Sequence, residues 1–366
     1  MFAYTLFTWF LSNRWLQIEQ FSGGSTLNNR ILISVIIPVR NEGENIENLL
    51  QDLNSQDLST SEFEVLIVDD HSEDNTREIV RNFPANYALS LWQLPANNEG
   101  RAGKKRAITM AIEKAKGELI VATDGDCRVG EKWLLIMKQF HLSTKAKFIA
   151  GPVTFSQEKS LFEKMQTVEF ASLTGSGAAC LAAGLPNMCN GANIAYTRKV
   201  FQQVKGYAGD EHIASGDDEF LMHKIFELYP TEVRFLKSDQ AIVYTSAKKS
   251  LKDFFYQRKR WSGKWKHYRF NNIRYIAAFI FCVNLVLIVS LFLSCFRILP
   301  VMASVLLFMI KGLADYLFLH SILKFYKKKN PLSVFLLTSL IYPFYVIFFG
   351  FLSNYGGYQW KGRNNY

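Results

Sequence analysis

Between residues 31 and 122 the chain alternates short apolar runs with stretches whose apolar positions recur every three or four residues. The runs 31–39, 63–68, 89–94 and 119–122 are the strand candidates, and the first is apolar except for Ser34 and rich in β-branched residues. Such runs fit strands covered on both faces of a parallel sheet. Ile46, Leu49, Leu50 and Leu53 fall on one helical face, and residues 107–116 read as a second helix. Strand and helix alternating at this spacing predict right-handed βαβ units, hence an α/β domain with a mainly parallel sheet. Residues 148–155 read as a further strand, and 161–181 as a helix rich in small residues.

The pattern changes near residue 276, after which the chain is almost continuously apolar to residue 352. The stretches 276–296, 298–319 and 332–352 are each long enough to cross a hydrocarbon layer, which takes about 20 residues. Pro343 and Gly350 threaten to break the third, so two to three spans are expected. Residues 1–11 are apolar and aromatic but short for a span, and they lack the basic start and cleavage site of a signal peptide. Trp9 and Trp15 around Arg14 predict a helix lying in a membrane interface. The expected organisation is an apolar segment and connector (1–29), a catalytic α/β domain (30–250), a basic interfacial region (251–274), membrane helices (275–355) and a basic tail (356–366). Three full crossings put that tail outside, whereas its basic residues suit the cytosol, which a re-entrant third segment would allow.

Charge sharpens this reading. The net charge of +10 is uneven, with eight Lys/Arg and one acid between residues 251 and 274, directly before the first long apolar run. Positive charge there marks the cytoplasmic side of a membrane and attracts anionic headgroups, so membrane lipids are the expected partner and nucleic acid is not. Five cysteines without a CxxC pair suggest neither a zinc site nor a disulfide framework, which fits a reducing compartment and a cytosolic soluble part. No GxxxxGK[ST] occurs and no GxGxxG follows the first strand, which removes the main support for ATPase, kinase and nicotinamide readings.

Candidate chemistry gathers where strands end. Asp124 and Asp126 follow the run 119–122, Asp70 follows 63–68, and Lys104 sits in a basic loop after 89–94. In an open α/β sheet these ends share one edge, where ligands bind. Two carboxylates around a glycine can share a hard divalent cation and through it a diphosphate, although Asp-Gly-Asp alone is equally an ordinary turn. Acids for a ribose, base or metal and a cation for phosphate together describe a nucleotide-diphosphate pocket. Lys311 and Asp315, four apart in an apolar stretch, can pair on one helix face and are either functional or simply neutralise each other. The six histidines show no metal-ligand spacing and are given structural roles.

The segments Ser34-Val-Ile-Ile-Pro-Val-Arg-Asn-Glu42, Val68-Asp-Asp-His-Ser-Glu-Asp-Asn-Thr76, Gly103-Lys104, Asp124-Gly-Asp126, Asn190-Gly-Ala-Asn193, Gly216-Asp-Asp-Glu219 and Gln257-Arg-Lys-Arg-Trp261 resemble, in order, the signatures of family 2 glycosyltransferases. The resemblance covers roughly residues 30–265 and implies the GT-A fold, a Rossmann-like, mainly parallel arrangement, ahead of the membrane helices. It implies a nucleotide-sugar donor, favouring UDP, bound by Pro38, Arg40, Glu42, Asp69, Asp70, Lys104 and Asp124, and Mg2+ or Mn2+ on Asp124 and Asp126. It also implies a catalytic base at Asp218, with Asp217 standing where the family more often has Glu, and an acceptor or pyrophosphate role for Gln257, Arg260 and Trp261.

A hydroxyl attacking an anomeric carbon needs such a base, whose pKa burial or a neighbouring acid can raise, and a cation on the departing diphosphate. Attack opposite the leaving group inverts the anomeric configuration. The bland reading of residues 216–219 is an acidic helix start, which a catalytic role does not exclude, and that of 257–261 is a basic interfacial helix. The expectation is a membrane-anchored inverting transferase of cell-envelope biosynthesis acting on a lipid-linked or polysaccharide acceptor. The rivals are a processive synthase of the cellulose or hyaluronan type and a non-catalytic scaffold with the same fold.

Overall fold

The structure is a computed structural model that describes residues 1–24, 31–96, 103–211, 213, 215–264, 268–329, 331–352, 358–360 and 363–365. The first two thirds of the chain form α1 (Phe2–Gln17), β1 (Ile33–Val39), α2 (Ile46–Asn54), β2 (Phe63–Asp69), α3 (Thr76–Asn82), β3 (Ala88–Gln93), α4 (Gly103–Lys114), β4 (Leu119–Ala122), α5 (Trp133–Thr144), β5 (Phe148–Ala150), β6 (Val153–Ser156), α6 (Leu161–Ala182), β7 (Ile194–Thr197), α7 (Arg198–Gln203), α8 (Asp217–Leu228), β8 (Val233–Phe235) and β9 (Val243–Ser246). There follow α9 (Leu251–Ser262), α10 (Asn271–Cys295), α11 (Val301–Phe325), α12 (Leu332–Leu352), β10 (Tyr358–Trp360) and β11 (Arg363–Asn365). The chain divides into two compact units, one of residues 18–156 and 186–246, the other of residues 1–17, 157–185 and 247–366.

The first unit is an α/β domain around a seven-stranded sheet of order β3-β2-β1-β4-β7-β5-β8. β1 runs parallel to β2 and β4, β2 to β3, and β5 to β8, while β7 is antiparallel to both neighbours. The expected mainly parallel sheet is therefore present, with one reversed strand that periodicity did not reveal. Ile33, Val35, Ile36 and Ile37 are fully buried, as a strand covered on both faces requires. Strand order turns around between β1 and β4, the kind of crevice where open α/β sheets take ligands.

The stretch 148–155 is not one strand. It breaks at Gly151-Pro152, so that β5 stays in the main sheet and β6 pairs with β9. Asn193 causes this close packing: a Cβ at residue 151 would lie 2.4 Å from its Nδ2. The buried Asn193 amide donates to the Pro152 and Ala241 carbonyls (2.8 Å each), and its Oδ1 accepts from Trp133 Nε1 at 3.0 Å.

The second unit is helical. α10, α11 and α12 are each long and apolar enough to cross a membrane, and they expose Val286, Val289, Phe292, Leu313, Leu317, Leu340 and Phe348. Pro343 lies inside α12 without ending it, and Gly350 brings that helix close to Phe281 of α10, where a Cβ would fall 2.7 Å from the ring. The two expected breakers thus leave three long helices. The basic side chains of the tail lie outside the described residues.

Asn193→Ala is expected to strand three buried polar groups, each worth about 1–3 kcal/mol when unmatched, and so to cost roughly 3 kcal/mol or more. Thermal unfolding of the full chain in detergent checks this, and an unchanged midpoint would contradict the role given to Asn193.

Candidate active site

The loops after β1 and β2 are laced together. Arg40, buried, donates from Nη1 to the carbonyls of Asp70 (2.7 Å) and His71 (2.9 Å) and pairs through Nη2 with Glu73 at 3.2 Å. Asn41 adopts positive φ (52°); its N–H donates to Ser72 Oγ, and its Oδ1 accepts from Glu73 N. The N–H groups of Glu42 and Gly43 are met by Thr76 Oγ1 and Asp74 Oδ2. Asp69 is wholly enclosed and accepts from Ser72 N, so it shapes this loop from inside. Asp70 lies beside it at the strand end, joined by its N–H to the Val39 carbonyl, while Pro38 sits half-buried on β1 opposite Val68.

Gly125 explains the spacing of Asp124 and Asp126. Its φ is not positive; instead a Cβ there would lie 3.0 Å from Glu42 Cγ and Val39 Cγ1. The glycine lets the turn after β4 press against the end of β1, leaving the flanking acids half-exposed.

Lys104, near the start of α4, places its ammonium 2.8 Å from Asp124 Oδ1 and 3.3 Å from Asp217 Oδ2. Burial alone would lower its pKa, but the carboxylates of Asp124 and Asp217 more than reverse this and hold it above the usual lysine range. Burial likewise works to raise the Asp217 carboxyl, but Lys104 and then Lys105 outweigh it and keep it below the ordinary aspartate range. Of the acids weighed as a base with a raised pKa, Asp217 therefore goes the other way.

Asp218 is half-exposed and fixed by two N–H donors, Gly191 to Oδ2 at 2.7 Å and Glu219 to Oδ1 at 2.8 Å. Thus the segments 190–193 and 216–219 meet, and the helix start and the oriented acid are the same residues, with Gly216 at φ 77° turning the chain into α8. Two buried lysines fix the loop ahead of this turn: Lys105 donates to the Asp210 carbonyl (2.6 Å), and Lys224 to those of Gly206 (2.9 Å) and Ala208 (2.6 Å). Sequence reasoning missed both, since a lysine next to a motif reads as solvated charge. Lys104 and Asp124 of the expected site residues thus meet Asp217 directly, Asp218 adjoins it in sequence, and Pro38, Arg40, Glu42 and Asp70 line the neighbouring strand ends.

Asp124 and Asp126 suit a hard cation in charge and donor type. Among the described residues no group of three or more His, Cys, Asp or Glu could hold a metal. Mg2+ is commonly held by one or two carboxylates with phosphates and water, so two acids are a fitting set for an ion shared with a diphosphate.

Gln257, Arg260 and Trp261 lie on α9, in the helical unit. The organising residue there is Arg258, which is buried and forms a two-pronged pair with Glu169 of α6 (3.1 and 2.5 Å). Tyr345 of α12 donates to the same carboxylate at 2.9 Å, and the Arg258 guanidinium lies 4.3 Å from the centre of the Trp261 ring, which stacks on Phe170. The available signal was a second acid deep inside the small-residue helix, Glu169.

His141 Nδ1 lies 2.8 Å from the Ala146 carbonyl and His223 Nε2 3.3 Å from that of Asn187; His212 and His267, like much of the basic loop before Gly103, lie outside the described residues.

Residues 34–205 match the model of the family described as Glycosyl transferase family 2. The chain is similar to the glycosyltransferase AglE of Haloferax volcanii, 36% identical over 124 residues that make up 34% of this chain and 40% of that protein. It is also similar to the poly-beta-1,6-N-acetyl-D-glucosamine synthase of Staphylococcus epidermidis, 25% identical over 236 residues, 63% of this chain and 53% of that one. The chain thus spans about half or less of the length of these curated relatives. The mannosyltransferase PcManGT from Pyrobaculum calidifontis, solved in complex with GDP-Man and Mn2+, superposes with a TM-score of 0.55 at 18% identity, covering 97% of this chain and 92% of that one. The α/β unit accordingly has the GT-A fold.

Lys104→Met removes the central cation while burial persists, so the Asp217 carboxyl is expected to rise instead of staying low. In the parent protein its contribution is present above the ordinary aspartate value of 3.8 and is lost as pH falls through the lower folded value. The Lys104 contribution is full below 10.5 and fades as pH rises through the raised value. The stability gap between parent and variant should be widest near neutrality and close on the acid side. Thermal unfolding at about pH 7 and about pH 3.5 tests this, and a gap independent of pH would contradict it.

Proposed function

Since residues 34–205 match the model of Glycosyl transferase family 2, we propose that the chain moves a sugar from a nucleotide-diphosphate sugar, with UDP favoured by resemblance, to a lipid-linked or envelope-polysaccharide acceptor. The observation that carries this reading is the meeting of Lys104, Asp124 and Asp217 beside an oriented, half-exposed Asp218.

In this reading Asp218 takes the proton of the acceptor hydroxyl as it attacks the anomeric carbon. Its two backbone donors fix the direction of the carboxylate before substrate arrives, which limits the reorganisation needed at the moment of reaction. Lys104 brings positive charge for the diphosphate, and Asp217 keeps that ammonium in place. Mg2+ or Mn2+ on Asp124 and Asp126 would supply further charge neutralisation for the leaving nucleoside diphosphate. The Mn2+ of the mannosyltransferase of like fold supports that choice of cofactor. Attack opposite the leaving group gives an inverted product, a β-linkage from an α-linked donor.

α10, α11 and α12 would anchor the chain in the cytoplasmic membrane, with the basic residues of 251–274 and 324–329 on the cytosolic side together with the catalytic residues. An acceptor delivered from the bilayer suits such an anchor. A second reading, a processive synthase, draws support from the similarity over 236 residues to the poly-beta-1,6-N-acetyl-D-glucosamine synthase. Product length separates the two: one added sugar favours single transfer, and a ladder of long products favours processivity.

Membranes containing the protein, supplied with a panel of radiolabelled nucleotide-sugars and extracted for lipid and polymer, are expected to yield labelled product from one donor. Asp218→Asn should lower that transfer by about 10²-fold or more, the usual worth of a general base, and chelation of divalent metal should stop it. Undiminished turnover in Asp218→Asn would remove the base assignment, and full activity in chelator would remove the metal from Asp124 and Asp126.

A further inference from the structure

The first helix is not amphipathic: both of its faces are largely apolar. Tyr4, Thr8, Leu11 and Trp15 form the buried stripe, which packs on α11 and α6 within the helical unit. The opposite stripe exposes Phe2, Leu6 and Trp9 at 79%, 49% and 65%, and no charged side chain occurs before Arg14.

Two contacts fix how α1 lies against α11. Tyr4 Oη donates to Asp315 Oδ1 at 2.5 Å, and the Trp15 and Phe325 rings meet edge to face at 5.5 Å. From the first contact to the second, α1 advances 15 − 4 = 11 residues and α11 advances 325 − 315 = 10, so the helices run side by side in the same direction. Asp315 lies ten residues before Phe325, about 15 Å along the helix at 1.5 Å per residue. The uncharged part of α1 therefore flanks the interior of α11, while Arg14 comes level with the end that leads into Lys327, Lys328 and Lys329.

Asp315 also pairs with Lys311 at 2.5 Å, and that lysine is almost fully buried with its ammonium near the Tyr4 and Tyr342 rings. The pair expected on one face of α11 is thus completed by a hydroxyl from α1. An ion pair deep in an apolar helix needs such added hydrogen bonds to be tolerated.

We propose that α1 is inserted into the bilayer alongside the C-terminal half of α11, with Phe2, Leu6 and Trp9 against acyl chains and the Tyr4–Asp315–Lys311 chain holding it there. This differs from a helix lying flat in the interface, and it rests on the reading that α10–α12 cross a membrane. On α11 itself Leu313 and Leu317, two residues either side of Asp315, are exposed at the same level along the helix, and the same hydrocarbon covers them.

The test uses the full chain with Cys282 and Cys295 replaced by Ser, reconstituted in phosphatidylcholine brominated either near the headgroup or deep in the acyl chain. A fluorophore is attached in turn to Leu6→Cys, Leu313→Cys and Gln17→Cys. The proposal expects the Leu6→Cys probe to lose more fluorescence to deep than to shallow bromine, as the Leu313→Cys probe does, and the Gln17→Cys probe to show the reverse. Tyr4→Phe in the Leu6→Cys background should increase quenching by aqueous iodide. A Leu6→Cys probe quenched mainly by shallow bromine means a flat helix and overturns the proposal. A Leu6→Cys probe untouched by lipid while Leu313→Cys is quenched means that another surface covers α1, which also overturns it. If the Leu313→Cys probe is itself unquenched, the membrane reading fails first and this inference with it.

Discussion

Carboxylates brought from distant parts of a chain repel one another, and an ammonium between them is what lets them converge. Lys104 has this role in the α/β unit, linking the acid after β4 to the acid that opens α8. The clamp lies at the strand-end edge that the sheet order creates, so topology supplies the place and one cation supplies the cohesion. A site held this way is organised before any ligand arrives, with a positive charge already in position. Gly191, Gly125 and Asn193 serve the same end by allowing close approach or by tying loops together.

Much of this was legible in the residues. Buried parallel strands are continuous apolar runs, so β1, β2 and β4 stood out, and acids that follow such runs fall on one edge of the sheet by geometry alone. β7 and β8 did not stand out, because Ile194–Thr197 and Val233–Phe235 are short and include Thr197 and Arg234, whereas the equally short β4 is an unbroken apolar run. The break at Gly151 was hidden since its cause, Asn193, lies forty-two residues away. Asp69 has a role that its motif did not reveal: its oxygens accept from the Ser72 N–H and shape the loop from inside. Motif spacing records both what binds substrate and what shapes the loops that do.

The family match, the similar sequences and the shared fold bear on different parts of the chain. The family model stops at residue 205, before the acids of α8, whereas the structural likeness extends over nearly the whole length. What ties the first half of the site to the second is therefore found in the geometry: Lys104 lies inside the matched region, and Asp217, which it holds, lies beyond it.

The pairing of Arg258 with Glu169 and Tyr345 has a consequence for how the helical unit responds to its surroundings. Charges at a protein surface are open to counterions, and salt weakens their interactions. The guanidinium and carboxylate that join α9 to α6 are withdrawn from water and out of reach of dissolved ions. Rising ionic strength thus acts on the outward charges of α9 while leaving its grip on α6 and α12 intact.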